Sequence, residues 1–340
     1  MKNKSGKQKN VRKVILSSLI VFGFYIVVCF AIVLIEFIHM VNQNRTATAS
    51  DYGQSRYELL LEDPIDVVHK IYSHDEIKAD AALESVNLYY FPNDTGIKTK
   101  YVIICPGGAY MLCNVKGAGF PPAAKINELG YTSFVLEYRT GKHSSKYAPL
   151  EDLVKAISYI TDNADNFNVE TEGYAVIGFS AGGNLAGLFG TDLLGYKNYS
   201  DINKPAALLL VYPWVNINGW YSHLSLNVID NIIYQTLTAI GNRYMLGKDA
   251  TEEEKLSLCL QTHITSDYPP TYIFQGDRDL LVPAEAHSDL LVESLKKMNV
   301  PYQYELYENV NHGGVIGLGT LNESWLNNAI EFWMDNNCKE

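Results

Sequence analysis

The chain is expected to be an α/β protein: a mostly parallel central sheet covered by helices on both faces, preceded by one apolar helix. Three observations predict this. From about residue 86 onward, short apolar runs of β type alternate with helical patterns, and such alternation builds parallel sheets joined by helical crossovers. Tyr212 to Asp267 interrupts the alternation and is too long for a plain connection. Val14 to Ile35 is 22 residues without a charge.

The elements follow in order. Lys2, Lys4, Lys7, Lys9, Arg12 and Lys13 precede the uncharged run with no acid among them. Twenty-two apolar residues suffice to cross a bilayer as a helix. The basic flank predicts a cytoplasmic N-terminus and an extracytoplasmic domain, so residues 14–41 are expected to be a signal-anchor transmembrane helix behind a basic tail, 1–13. Ala47-Thr48-Ala49 offers the alternative of a cleaved signal peptide, but the apolar region exceeds the usual length of about 7–15 residues. Residues 42–84 are expected to be a stalk and lead-in, polar and small to about Gln54 and helically patterned after it. The main domain spans 85–340. Strands are predicted near 86–91, 101–106, 131–138, 173–178, 206–212, 271–276 and 302–307. Helices are predicted near 120–129, 150–166, 181–194, 285–298 and 321–336, with helical periodicity at Val228 to Leu246 inside the interruption.

Charge bounds the partners. The net charge is −11. The first 41 residues hold six bases and one acid, leaving 21 bases and 37 acids, or −16, in the remaining 299. An acidic domain is a poor binder of nucleic acid. Five scattered cysteines without short spacings build neither a zinc site nor a disulfide framework, though Cys105 and Cys113 bracket one loop and could pair.

The most informative segment is Tyr174-Ala-Val-Ile-Gly178-Phe-Ser180-Ala-Gly182-Gly-Asn-Leu-Ala186. A β-type run enters Gly-Phe-Ser-Ala-Gly and leaves as a small-residue helix. A serine on so sharp a turn stands above the sheet as a nucleophile for acyl transfer, beside the free N–H groups of a helix start. Side chains at 178 and 182 would collide as the turn closes. Such a serine needs oxyanion donors, a base and an orienting acid. The strand Tyr101-Val-Ile-Ile-Cys105 ends in Pro106-Gly-Gly-Ala-Tyr110, so the expected donors are the N–H groups of Gly108, Ala109 and Ala181. The strand Thr271-Tyr-Ile-Phe-Gln275 runs into Gly276-Asp277-Arg-Asp279, where two carboxylates compete. Only His287 and His312 follow them, and His287 is too close to reach back. His312, in Asn311-His-Gly-Gly314, is the expected base. The order serine, acid, histidine is that of one hydrolase class among three.

Together these residues resemble the α/β-hydrolase superfamily, in its carboxylesterase branch of hormone-sensitive-lipase-like enzymes and bacterial acetyl-xylan or feruloyl esterase-like proteins. The likeness covers roughly residues 85–338. Pro106-Gly-Gly-Ala-Tyr110 looks like the family's His-Gly-Gly-Gly-Phe loop, followed by Gly130-Tyr131, Glu137-Tyr-Arg139, Pro149-Leu-Glu-Asp152, the serine turn, Tyr212-Pro213 and Tyr268-Pro-Pro-Thr-Tyr-Ile-Phe-Gln-Gly276. In the family the acid is the third residue after that glycine and precedes x-x-Val-Pro, which selects Asp279. The resemblance implies an α/β-hydrolase fold, the triad Ser180, Asp279 and His312, and no metal or organic cofactor. It also implies that about 213–267 forms a cap, with Trp214, Trp220, Tyr221 and Tyr244 either touching the acyl or sugar part of a substrate or packing the cap. Pro106 and Ala109 depart from the family loop and favour the xylan-esterase-like side.

The implied activity is hydrolysis of short-acyl carboxylic esters, of a small molecule or a polysaccharide, at a membrane. Prolyl-oligopeptidase-type peptidases share the serine turn but carry a large β-propeller, and fewer than 50 residues separate the apolar run from the sheet here. Non-catalytic adhesion proteins of this fold typically lose triad members, and all three positions are filled.

Overall fold

The computed structural model describes residues 2–62, 66–217 and 225–337. Its eight strands are β1 (Val68–His69), β2 (Asn87–Phe91), β3 (Tyr101–Cys105), β4 (Thr132–Glu137), β5 (Ala175–Phe179), β6 (Ala207–Val211), β7 (Thr271–Gly276) and β8 (Tyr302–Tyr307). They form one sheet in the order β1-β2-β4-β3-β5-β6-β7-β8. The β1–β2 and β2–β4 pairs are antiparallel, and every other pair is parallel. Seven of these strands lie where their apolar runs predict. β1, at two residues, is too short to leave a periodic mark.

Every residue of β3, β5, β6 and β7 is buried, as expected of central strands covered on both faces. The helices are α1 (Lys2–Ala47), α2 (Ser50–Glu62), α3 (His74–Ala79), α4 (Phe120–Glu128), α5 (Ala148–Asp162), α6 (Ala181–Phe189), α7 (Val228–Leu246), α8 (Glu252–Ser257), α9 (Ser288–Lys297) and α10 (Trp325–Asn337). One core layer takes residues from α5, α6 and α9, and the other from α2, α4 and α10. Trp325 and Trp333 of α10 are wholly buried in the second layer.

The stretch expected as a short stalk, residues 42 to about 54, is largely helical and runs into the helical segment expected after it. α1 continues to Ala47, and α2 lies on the domain. Gly53, Tyr57 and Leu60 fall at i, i+4 and i+7, which makes one packing face of a segment that is polar on average. Gly53 sits against the Phe120–Pro121 backbone, Tyr57 stacks on Phe120 with ring centroids 4.5 Å apart, and Leu60 is buried. The second half of α1 is also engaged. Cys29 and Val33 are buried, Asn227 Nδ2 donates to the Cys29 carbonyl at 3.2 Å, the Tyr25 hydroxyl donates to the Leu226 carbonyl, and Glu36 pairs with Arg278.

The strand order places the site. From β3 the chain adds β4 on one side, then β5 on the other. Ligands of such sheets bind at this reversal, beyond the carboxyl ends of the strands. Cys105 and Phe179 end β3 and β5 side by side there.

Candidate active site

Ser180 follows β5 directly, and α6 begins at Ala181. Its backbone adopts φ 56°, ψ −116°, a sparsely populated conformation that costs on the order of 1–3 kcal/mol and persists only where the surroundings impose it. They do so here. Ser180 N donates to the Val211 carbonyl at 3.0 Å, and the Ser180 carbonyl accepts from Trp214 N at 3.0 Å and Asn184 N at 3.1 Å. A Cβ on Gly178 would overlap the Gly182 carbonyl, and one on Gly182 would overlap the carbonyl of Cys105. Two glycines are therefore the condition for the turn to close.

The Pro106–Tyr110 loop is braced from below. The Tyr138 hydroxyl donates to the Pro106 carbonyl at 2.6 Å, and the buried Tyr110 hydroxyl donates to Asn184 Oδ1 at 2.9 Å. Gly108 takes φ 140°, and a Cβ there would strike the Leu112 carbonyl. Gly108 and Ala109 line the same cavity as Ser180, while Ala181 is buried beneath it at the first position of α6. Next to the loop, the buried Arg139 and Asp152 of the quoted motifs meet, with Arg139 Nε donating to Asp152 Oδ1 at 2.9 Å.

The acid and base come together across the sheet edge. Asp279 is buried, whereas Asp277 is exposed. Asp279 Oδ1 accepts from the N–H groups of Leu281 at 3.0 Å and Val282 at 2.8 Å, and Oδ2 accepts from Gln275 Nε2 at 3.2 Å. Asp279 Oδ2 lies 2.7 Å from His312 Nδ1, and His312 Nε2 lies 3.0 Å from Ser180 Oγ. A carboxylate only accepts, so the imidazole proton sits on Nδ1 and Nε2 is left to accept from the serine hydroxyl. Tyr212 flanks the imidazole with ring centroids 4.5 Å apart. Burial, and then the charge of Asp279, push its phenol well above its ordinary range, so it stays neutral. His287 stands apart, with its Nδ1 accepting from Asn216 N at 3.1 Å.

A cavity of ≈ 360 Å³ opens on the serine. Its walls are largely apolar: Met111, Leu112, Trp214, Leu237, Leu281 and Val282 among others. Leu237 belongs to α7, so the long connection between β6 and β7 does cover the site. Trp214 lines the cavity, Tyr244 packs against the core layer beside it, and Trp220 and Tyr221 fall outside the described residues. Cys105 and Cys113 are both free thiols.

Residues 88–295 match the family model BD-FAE. The chain belongs to the BD-FAE family. It is similar to endo-1,4-beta-xylanase B of Butyrivibrio fibrisolvens, at 26% identity over 287 residues, 81% of this chain and 42% of that protein. It is also similar to an acetylxylan esterase of Xylanibacter ruminicola, at 23% identity over 221 residues, 64% of this chain and 41% of that protein. The chain thus spans about two fifths of the length of these curated relatives. Among solved structures, the acetyl ester-xyloside bifunctional hydrolase of Caldicellulosiruptor lactoaceticus superposes with a TM-score of 0.62 at 25% identity, over 74% of this chain and 88% of that one.

Within this BD-FAE protein the site holds a hydroxyl, an imidazole and a carboxylate in one hydrogen-bonded line, facing an apolar cavity. Several of its parts carry no sequence signal. Gln275, whose side chain links Asp279 to Ser288 Oγ (2.7 Å from Gln275 Oε1), reads in sequence as an ordinary strand residue. Met111 and Leu112 read as loop, and only their apolar character on an exposed turn hints at a wall.

Proposed function

We propose that this BD-FAE-family protein is a membrane-anchored serine esterase acting on short-acyl, acetyl-type carboxylic esters. The observation that carries the reading is the Ser180–His312–Asp279 line, at 3.0 and 2.7 Å, opening on an apolar cavity. Ser180 Oγ attacks the ester carbonyl while His312 Nε2 takes its proton. Asp279 holds the imidazole and stabilises the imidazolium. The N–H groups of Gly108, Ala109 and Ala181 receive the oxyanion. His312 then protonates the departing alcohol, and a water that it activates releases the acyl group from Ser180. The named esterase and xylanase relatives support an acetylated small molecule or polysaccharide as substrate.

The test is turnover of p-nitrophenyl esters of increasing chain length, and of acetylated xylan, with fluorophosphonate labelling of Ser180. Acetate release with labelling is the expected result. Turnover of peptides alone would assign the site to a peptidase, and neither turnover nor labelling would leave a scaffold.

Among the described residues one helix is long and apolar enough to cross a membrane, and it exposes Val14, Leu19, Phe22 and Phe24 among many apolar side chains. Its uncharged run spans about 33 Å at 1.5 Å per residue, against a hydrocarbon core of roughly 30 Å. Six cations before it resist transfer, which supports a cytoplasmic N-terminal tail and an extracytoplasmic domain. Protease added to intact cells or spheroplasts is expected to digest the domain and spare the tail. Protection of the domain reverses the orientation, and recovery of a mature form beginning at Ser50 replaces the anchor with a cleaved signal.

A further inference from the structure

The loop that carries His312 lacks regular structure, and positive φ recurs along it, at Val315 in a residue that disfavours it. Asn309 has φ 59°, Gly313 φ 97° and Val315 φ 40°. Such a segment holds its place only if its peptide groups find partners elsewhere. Two partners come from the domain: Arg278 N donates to the Val310 carbonyl at 3.0 Å, and Trp325 Nε1 donates to the Val315 carbonyl at 2.9 Å. The groups nearest the imidazole are taken by the end of α1 and the residue after it. Gln43 Nε2 donates to the Asn309 carbonyl at 2.9 Å, and Gln43 Oε1 accepts from Asn311 N at 2.9 Å. Asn44 Nδ2 donates to the carbonyl of His312 itself at 2.6 Å. Thr48 Oγ1 donates to the Gly313 carbonyl at 3.1 Å, and Leu318 N donates to the Ala47 carbonyl at 3.1 Å.

We propose that the end of the N-terminal helix is a positioning element of the active site, in which Gln43, Asn44 and Thr48 hold the 309–313 loop so that His312 Nε2 stays in line with Ser180. The proposal rests on the esterase reading. These three side chains touch neither substrate nor the reacting atoms. They act through the backbone on either side of the histidine, and displacement of a catalytic group by about 1 Å can cost on the order of 10²-fold in rate. The arrangement also makes the helix part of the catalytic unit, because a chain beginning at Ser50 would lack all three donors.

The test uses the full chain in detergent or lipid nanodiscs, with p-nitrophenyl acetate. Gln43→Ala/Asn44→Ala is expected to lower kcat by about 10- to 100-fold with KM held within about twofold. Asn42→Ala/Arg45→Ala, on the exposed face of the same turn, is expected to match the unsubstituted chain. Should the double variant fail to fold, Thr48 still decides the matter: Thr48→Val, which keeps the shape and loses the hydroxyl, is expected to lower kcat several-fold, and Thr48→Ser to restore it. Unchanged kcat in the Gln43/Asn44 and Thr48→Val variants overturns the positioning role while the esterase reading stands. So does a raised KM at constant kcat, which would mean that the helix shapes the cavity instead. If the unsubstituted chain turns over no ester, the reading beneath fails and the proposal falls with it.

Discussion

The serine turn and the histidine loop lie 3.0 Å apart at their reactive atoms and are built in opposite ways. The serine is fixed by crowding among near neighbours. Gly178 and Gly182 face each other within five residues, and the next strands supply the Val211 and Cys105 carbonyls that close the space. The histidine is fixed by side-chain hydrogen bonds from Gln43, Asn44 and Thr48, some 265 residues away. Steric closure tolerates no side chain at either glycine and depends only on strands of the sheet itself. Tethering tolerates substitution at the loop but depends on a helix that lies outside the sheet. The two halves of the proposed triad should therefore fail differently.

The largest effect is expected from Ser180→Ala. The substitution removes the hydroxyl while leaving the turn with a residue no larger than serine, so the fold should survive and ester turnover should fall by about 10⁴–10⁶. Fluorophosphonate labelling should vanish with it. A folded Ser180→Ala chain that still hydrolyses esters at the original rate would remove the serine from the mechanism.

Asp279→Asn comes next and probes the tethered half. Asparagine in this place can still accept from the Leu281 and Val282 N–H groups, but it no longer enforces the proton on His312 Nδ1. A loss of about 10³–10⁴ in kcat is expected. The neighbouring Asp277→Asn, at an exposed side chain, should change activity little. The reverse ranking in side-by-side kinetics would place the acid at Asp277.

This contrast also governs what the sequence discloses. The serine turn is legible because crowding leaves a compact mark: Gly-Phe-Ser-Ala-Gly between an apolar run and a small-residue helix. The central strands are legible for the same reason, since burial on both faces demands unbroken apolar runs such as Leu208-Leu-Leu-Val211. The acid is half legible. Asp277 and Asp279 share one turn, and only the fold shows which of them is buried. The tether is not legible, because Gln43 and Asn44 are two polar residues in a polar stretch and nothing local distinguishes a stalk from a clamp. β1 and the packing face of α2 escape for a related reason: two residues carry no period, and Gly53, Tyr57 and Leu60 dilute into their polar neighbours.

The smallest effect is expected at the cavity wall that α7 contributes, a feature that belongs to neither half of the triad. Leu237, on the long connection between β6 and β7, lines the cavity before Ser180 together with Leu281 and Val282. Leu237→Ala removes three carbons there. If the acyl chain of the substrate lies against this wall, a longer chain gains room that an acetyl group does not need. Burying one further methylene is worth about 0.8 kcal/mol, or roughly fourfold. The ratio of kcat/KM for hexanoate over acetate should therefore rise by about fourfold or more, with acetate itself changed less than about threefold. Such a change leaves kcat for the acetyl ester in place, which separates it from loss of the His312 tether, where kcat falls for every ester alike. An equal decline for both chain lengths would mean that Leu237 packs the cover over the site and takes no part in selecting the acyl group.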